Sequence, residues 1–377
     1  MALIKLNTRS IPDDAVTPSK VSQNQGRKRL NINGAMQVAQ RATSATISDG
    51  ANEGYRTLDR WTTLFSSSAG GVATMSQVNG GPNFKFADSM KIDVTTADTA
   101  LDANHAITLQ YKFEDQDIAN SGWEYRDPNS KLNVSFWAKS TKAGTYCVFL
   151  FSQSNTSYNI VKEYTLAADT WTYVSLSFKG SNNQIAFDNN NTLGLIVGWA
   201  LAAGSNRYEN VVEGEWILSS SGQGQGRYAT SNQVNFFDST SNIYHITGVQ
   251  IEVGAAATDF EHRSYGEELA LCQRYFWRTT GSDYNGVGSG CVRTNSEIRF
   301  FIPNPVDMRT LPTMSISGTM RATAAGTTID ISSLTAAWTG PRGNMCQFVQ
   351  SGLTTGHGAI LHHQNNANNY LQLDAEL

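Results

Sequence analysis

The stretch from Tyr244 to Trp277, YHITGVQIEVGAAATDFEHRSYGEELALCQRYFW, decides the fold. Val249, Ile251 and Val253 alternate with Gln250 and Glu252, the two-residue period of a strand. Ser264 followed by Glu267 has the spacing of a capping box and opens a helix. Leu269, Cys272 and Phe276 then share a helical face, and Arg274 and Arg278 sit where a helix C-terminus favours cations. The strand closes one large all-β unit before it, and the helix joins that unit to a smaller one after it.

Outward from this stretch, alternation recurs. Ile107, Leu109, Tyr111 and Phe113 alternate with polar residues and predict a half-buried strand. Leu132, Val134, Phe136 and Ala138 predict another, and Val174, Leu176 and Phe178 a third. Tyr146 to Phe151 is continuously apolar, as in a central strand, and Leu193 to Trp199 is similar. Gly-, Asn- and Ser-rich turns separate these runs. The expectation is an all-β chain: an antiparallel jelly-roll sandwich over residues 31–265, a short linking helix over 266–278, and a second, smaller β-sandwich-like domain over 279–377. An immunoglobulin arrangement is disfavoured, because its Cys…Trp…Cys spacing is missing. The tail, with His357, His362 and His363 among Gln and Asn, reads as exposed and polar, with metal binding by these histidines the sharper alternative. The second domain's weak apolar content favours oligomerisation.

The segment ITGVQIEVGAAATDFEHRSYGEELALCQRYF resembles one found in tailed-phage and marine-virus virion proteins of the tail-fibre kind. NINGAMQVAQRATS (31–44), GYRTLDRW (54–61) and SFWAKSTKAGTY (135–146) look like further parts of the same module, and FFIPNPVDMRTLPTMSISG (300–318) is similar to the module that often follows. The resemblance implies a jelly roll of the carbohydrate-binding kind, a place in the virion, on the tail, and a homotrimer. Residues 1–30 resemble a fibre leader through Ile11, Asp13, Asp14, Val16 and Lys20. They read either as an attachment arm that docks on other virion proteins or as a floppy end. Arg27, Lys28 and Arg29 read as a partner-neutralising cluster or a solvated charge run.

Composition narrows the function. Charged residues are 16% of the chain, below the roughly 25% of a typical soluble domain, which suits extracellular β-rich proteins. The net charge of −4 disfavours nucleic-acid binding. Apolar runs are too short and too Gly-broken to insert in a membrane. The N-terminus lacks the features of a signal peptide, and a particle released by lysis needs none. The four cysteines fit no zinc spacing; Cys147 reads as a core thiol, and Cys291 with Cys346 is the pair open to bridging.

No nucleotide loop, zinc-protease motif or serine-hydrolase elbow occurs, so no enzyme is expected. Glu213 and Glu215 would share a strand face about 6.5–7 Å apart, but exposed acids at this spacing are usually solvated. Glu114, Asp115 and Asp117 are weak candidates for a structural Ca²⁺. No other cofactor is expected. His262 is expected to pin the strand-to-helix corner. Glycan binding has most support, because sugar rings stack on exposed aromatics. Trp123, Tyr125, Arg126 and Asp127 make the leading patch, with Tyr158, Tyr208, Tyr228 and Tyr284 as further loop aromatics. The reading is a tail fibre or tail appendage recognising a host-surface glycan. The alternatives are a fibre adaptor or capsid decoration without a receptor role, and a glycan depolymerase.

Overall fold

Strand alternation puts Leu132, Val134, Phe136 and Ala138 inward and leaves Trp137 and Lys139 on the other face, and this period organises most of the chain. The computed structural model describes residues 28–154, 157–219, 226–279 and 284–377. The expected attachment residues Ile11, Asp13, Asp14, Val16 and Lys20 lie outside them. The first unit contains β1 (Ser44–Ile47), β2 (Trp61–Ser66), β3 (Val72–Asn79), β4 (Asp88–Thr96), β5 (Ala106–Glu114), β6 (Lys131–Ser140), β7 (Gly144–Ser152), β8 (Tyr158–Leu166), β9 (Thr172–Lys179), β10 (Leu193–Ala203), β11 (Ile217–Leu218) and β12 (Ile243–Val253). They form two six-stranded antiparallel sheets, ordered β1-β3-β4-β12-β6-β9 and β11-β8-β7-β10-β5-β2. The chain crosses repeatedly between the sheets, as in a jelly roll.

Between the sheets lies one aromatic-rich core. Trp61 is buried there, 5.4 Å from Trp199, which meets Phe136 at 5.6 Å. Burying such a side chain contributes roughly 4–6 kcal/mol before its ordering cost. A second, smaller core covers the outer face of the second sheet. Phe149 and Phe151 point outward from β7, and Tyr228 lies on Phe149 at 4.7 Å. This cover corrects two expectations. The strand expected to be half-buried, β5, is buried on both faces, including Thr108 and Gln110. Tyr228 is packing and not a displayed loop aromatic. Cys147 is buried in the same layer.

The helix, here α1 (Tyr265–Gln273), starts as expected: the Ser264 side chain accepts from Glu267 N–H. It ends earlier than expected. Phe276 and Trp277 belong to strand β13 (Phe276–Arg278), because a free sheet edge at Leu373–Asp374 captures them. Arg274 does not serve the helix end alone; it pairs with buried Glu114 at 3.0 Å. Arg278 stacks on Tyr370, 3.8 Å from the ring centre. Glu268, on the helix, faces inward and binds buried Arg29. Arg29 is therefore not part of a solvated charge run; residues 28–34 are laid along β12, with Leu30 N–H donating to Ile251 O at 2.8 Å and Val249 N–H to Gly34 O at 2.9 Å.

The remaining strands are β14 (Gly286–Thr294), β15 (Glu297–Pro303), β16 (Thr313–Ser317), β17 (Met320–Ala324), β18 (Thr327–Ile331), β19 (Thr335–Trp338), β20 (Gly343–Val349), β21 (Gly358–His363) and β22 (Tyr370–Asp374). A seven-stranded sheet, β18-β17-β21-β14-β15-β20-β19, and a three-stranded one, β13-β22-β16, share a core around Phe300, Ile302, Leu361 and Leu371. The tail expected to be exposed supplies β21 and β22 to it. His363 is buried and bonds Thr279 Oγ1 at 2.8 Å, while His362 bonds Thr323 Oγ1 at 3.0 Å, so the two histidines face different partners. Cys291 and Cys346 are both free thiols. Cys291 stands opposite Arg299, whereas Cys346 stands opposite Phe300, which puts them on opposite faces of the sheet.

Candidate functional site

The second sheet of the jelly roll is covered on its outside; the first is open over β6 and β9. Of the residues out of phase with the core alternation, Trp137 of β6 and Tyr173 of β9 reach the surface, while Asn133 and Ser135 of β6 are buried. Trp137 of β6 stands directly opposite Tyr173 of β9, and their rings meet at 5.3 Å and 50°. Trp137 is half-buried and Tyr173 is 46% exposed. Together they floor a cleft of about 520 Å³, with Ser135 beside them.

The wall comes from two loops. Asn83, Lys85 and Phe86 belong to the β3–β4 connection, and Thr258, Asp259, Phe260 and His262 follow β12. Phe86 packs against Phe260 at 5.1 Å and His262 at 5.5 Å. The approach of Phe86 depends on a bulge in β12 between Thr247 and Gln250. There Gly248 takes a φ of +62°, and a Cβ on it would lie 2.6 Å from the Phe86 ring. Glycine is needed at that point for both reasons. The loop after β12 is fixed to the sheet through Gln250 and Glu252, the alternating polar residues of the opening stretch. Both are buried: Glu252 accepts from Thr258 N–H and Oγ1–H at 2.7 Å, and Gln250 accepts from Glu261 N–H at 2.8 Å.

His262 does not pin the corner. It is exposed at the cleft, and burial of its ring edge together with the Arg29 and Lys85 charges lowers its pKa. Arg263 does the pinning, donating to Arg29 O at 2.7 Å and Asn31 O at 3.2 Å. Arg29 in turn lies 4.8 Å from the Phe260 ring, so the wall rests on a buried ionic layer. Asp259 is the one carboxylate among the residues lining the cleft, and glycoside hydrolysis ordinarily takes two.

The loop patch expected from sequence also gathers. Trp123, Tyr125, Arg126 and Asp127 line a second depression of about 580 Å³ with Pro128, Asn182 and Asn183. Its aromatic faces are occupied, however. Trp123 is 3% exposed, and Tyr125 packs edge-on against Phe187 at 4.8 Å. Asp127 accepts from Asn129 N–H at 2.8 Å within its own turn, and Arg126 Nε–H donates to Ile185 O at 3.4 Å.

The acidic residues are similarly engaged. Both oxygens of Glu114 are held by Arg274 and Tyr275, and Asp115 accepts from Thr192 Oγ1–H at 3.2 Å, while Asp117 is exposed. Among the described residues, no group of three or more His, Cys, Asp or Glu side chains is arranged to hold a metal ion. Glu213 and Glu215 do not share a strand face: they lie in a turn before β11, where Glu215 pairs with Lys179 at 2.6 Å. No described helix is long and apolar enough to cross a membrane.

Sequence signals for the sheet cleft existed. Trp137 and Tyr173 sit at the outward positions of two alternating strands, where a polar residue is the norm. Their pairing required knowing that β6 and β9 are neighbours.

No protein-family model matches the chain, and no curated protein matches it in sequence. Solved structures align with part of the chain. The enzymatically active domain of tailspike protein 4 of bacteriophage CBA120 is 12% identical, with a TM-score of 0.31 over 60% of this chain and 21% of that one. A family 16 carbohydrate binding module is 10% identical, with a TM-score of 0.24 over 47% of this chain and 84% of its own length. A cyclase from Fischerella sp. TAU, in complex with an indolyl butanone, is 9% identical, with a TM-score of 0.32 over 62% of this chain and all of that one.

Proposed function

We propose that the protein is a non-enzymatic carbohydrate-binding protein that takes its ligand in the cleft over β6 and β9. One observation carries this reading: Trp137 and Tyr173 stand side by side on neighbouring strands, with polar groups from Asn83, Thr258 and Asp259 around them. An aromatic floor takes the apolar face of a sugar ring, and the polar rim takes its hydroxyls. Strands hold such a floor with little ordering cost on binding. The resemblance of 31–44, 54–61, 135–146 and 246–276 to tail-fibre proteins supports the finer reading, a tail fibre or tail appendage of a phage particle that recognises a host-surface glycan.

The test is a glycan array of bacterial surface polysaccharides, probed with the wild-type chain and the Trp137→Ala/Tyr173→Ala double variant. Retention by the wild type and its loss in a variant of unchanged melting temperature are expected. Equal retention by the double variant would move the site elsewhere, and no retention by the wild type would refute glycan binding.

A further inference from the structure

The outer face of the first sheet does not end at Trp137 and Tyr173. One row along, about 6.6 Å on, the register brings Lys91 of β4, His245 of β12 and Lys139 of β6 side by side: His245 stands opposite both lysines. Trp171 closes the row, 5.9 Å from His245 and with the Lys139 ammonium 5.5 Å from its ring centre. This second row therefore repeats the first in form, an aromatic ring at the β9 end, but it carries positive charge.

The charge is only partly cancelled. Lys91 pairs with Asp93 at 2.9 Å. Lys139 makes no salt bridge among the described residues. At the other end of the floor, Lys85 is exposed on the cleft wall and is likewise without a salt bridge among the described residues. His245 reports the local field. Burial first, and then the Lys139 and Lys91 ammonium groups, lower its pKa to about 4 against the opposing pull of Asp93. A chain of net charge −4 repels polyanions as a whole, so a basic row beside the aromatic floor is a feature of this face and not of the protein's general charge.

We propose that the ligand is an acidic glycan: a sugar ring stacks on Trp137 and Tyr173, and a carboxylate, sulfate or phosphate on the adjoining residue meets Lys139 and Lys91. The inference rests on the glycan reading of the same cleft and narrows it. Ammonium groups held beside an aromatic floor supply charge-assisted contacts to such a substituent while Trp171 carries the second ring.

The experiment separates the two layers. Polygalacturonate, alginate, hyaluronan and chondroitin sulfate are each run in affinity electrophoresis beside carboxyl-reduced or desulfated counterparts. Retardation by one or more acidic forms, with loss on neutralising the polymer, is expected. Lys139→Gln should weaken that retardation about fivefold, Lys139→Arg should restore it, and rising salt should erode it. Retention by neutral forms equal to that by acidic ones overturns the acidic ligand and leaves glycan binding standing. A Lys139→Gln variant that binds an acidic polymer as well as the wild type also overturns it. No retention by any polymer, acidic or neutral, counts against both readings.

Discussion

Two aromatic regions of the first unit contrast in a useful way. The Trp123–Tyr125 loop is rich in the residues expected of a sugar site, yet its rings are consumed by its own packing. The Trp137–Tyr173 pair has one residue on each of two strands, with Tyr173 exposed and Trp137 half-buried beside it. A loop can fold back and hide its apolar side chains. A strand already committed to a core through alternate residues cannot rotate to hide the others. An aromatic at the outward position of a strand is thus displayed unless another segment is laid over the sheet, as Tyr228 is over Phe149, whereas an aromatic in a loop can also be hidden by the loop itself.

This contrast can be broken by exchanging stability and binding readouts. Trp123→Ala empties a buried site and should lower unfolding free energy by about 3–5 kcal/mol, read by chemical denaturation, with glycan affinity per folded molecule unchanged. Trp137→Ala should do the reverse: it removes a half-exposed ring, changes the melting temperature little, and costs about 2 kcal/mol of binding, roughly 30-fold, by calorimetry. If Trp123→Ala abolished binding in a folded protein, the ranking of the two regions would be wrong. Tyr173→Ala, at the open edge of the floor, should cost less, about 1 kcal/mol or fivefold.

The smallest effect sharpens the charged row. With burial and two ammonium groups holding it low, His245 is neutral at pH 7. Its folded pKa lies below its unfolded value, so its contribution to stability is present above about pH 6.5 and is lost as pH falls toward 4. Lys139→Gln should raise the His245 pKa toward the ordinary value in an NMR titration, because one opposing charge is gone. A fall, or no movement, would mean that Lys139 does not face this ring.

Much of the fold was legible in the alternation. Leu132 to Ala138, Val174 to Phe178 and Val249 with Ile251 define inner faces that the structure keeps, although Val253 at the strand's end is exposed, and the Ser264 cap begins the helix where the spacing puts it. What failed had a common cause. Thr108 and Gln110 in β5 look like solvent-facing positions, but segments distant in sequence cover them, and Gln250 and Glu252 in β12 are covered by the loop that follows their own strand. Arg29 looks solvated because its partner Glu268 is 239 residues away. The sheet cleft was hidden for the same reason: its floor joins residues 36 positions apart, and its wall joins Phe86 to Phe260. Local pattern encodes which way a side chain points; it does not encode what the rest of the chain lays over it.

The strip formed by residues 28–34 has a mechanical consequence. It is bonded lengthwise to β12, the strand whose continuation carries Phe260 and His262, and Arg29 within it touches both Phe260 and Glu268. A tether pulling from the N-terminal side would load these bonds together along the strip, and the barrier to tearing it loose would set the lifetime under load. The strip and the wall of the cleft are separate pieces of chain joined by the contact of Arg29 with Phe260. A load entering from that side would therefore pass from Arg29 to Phe260 and reach the wall of the cleft before the rest of the first unit.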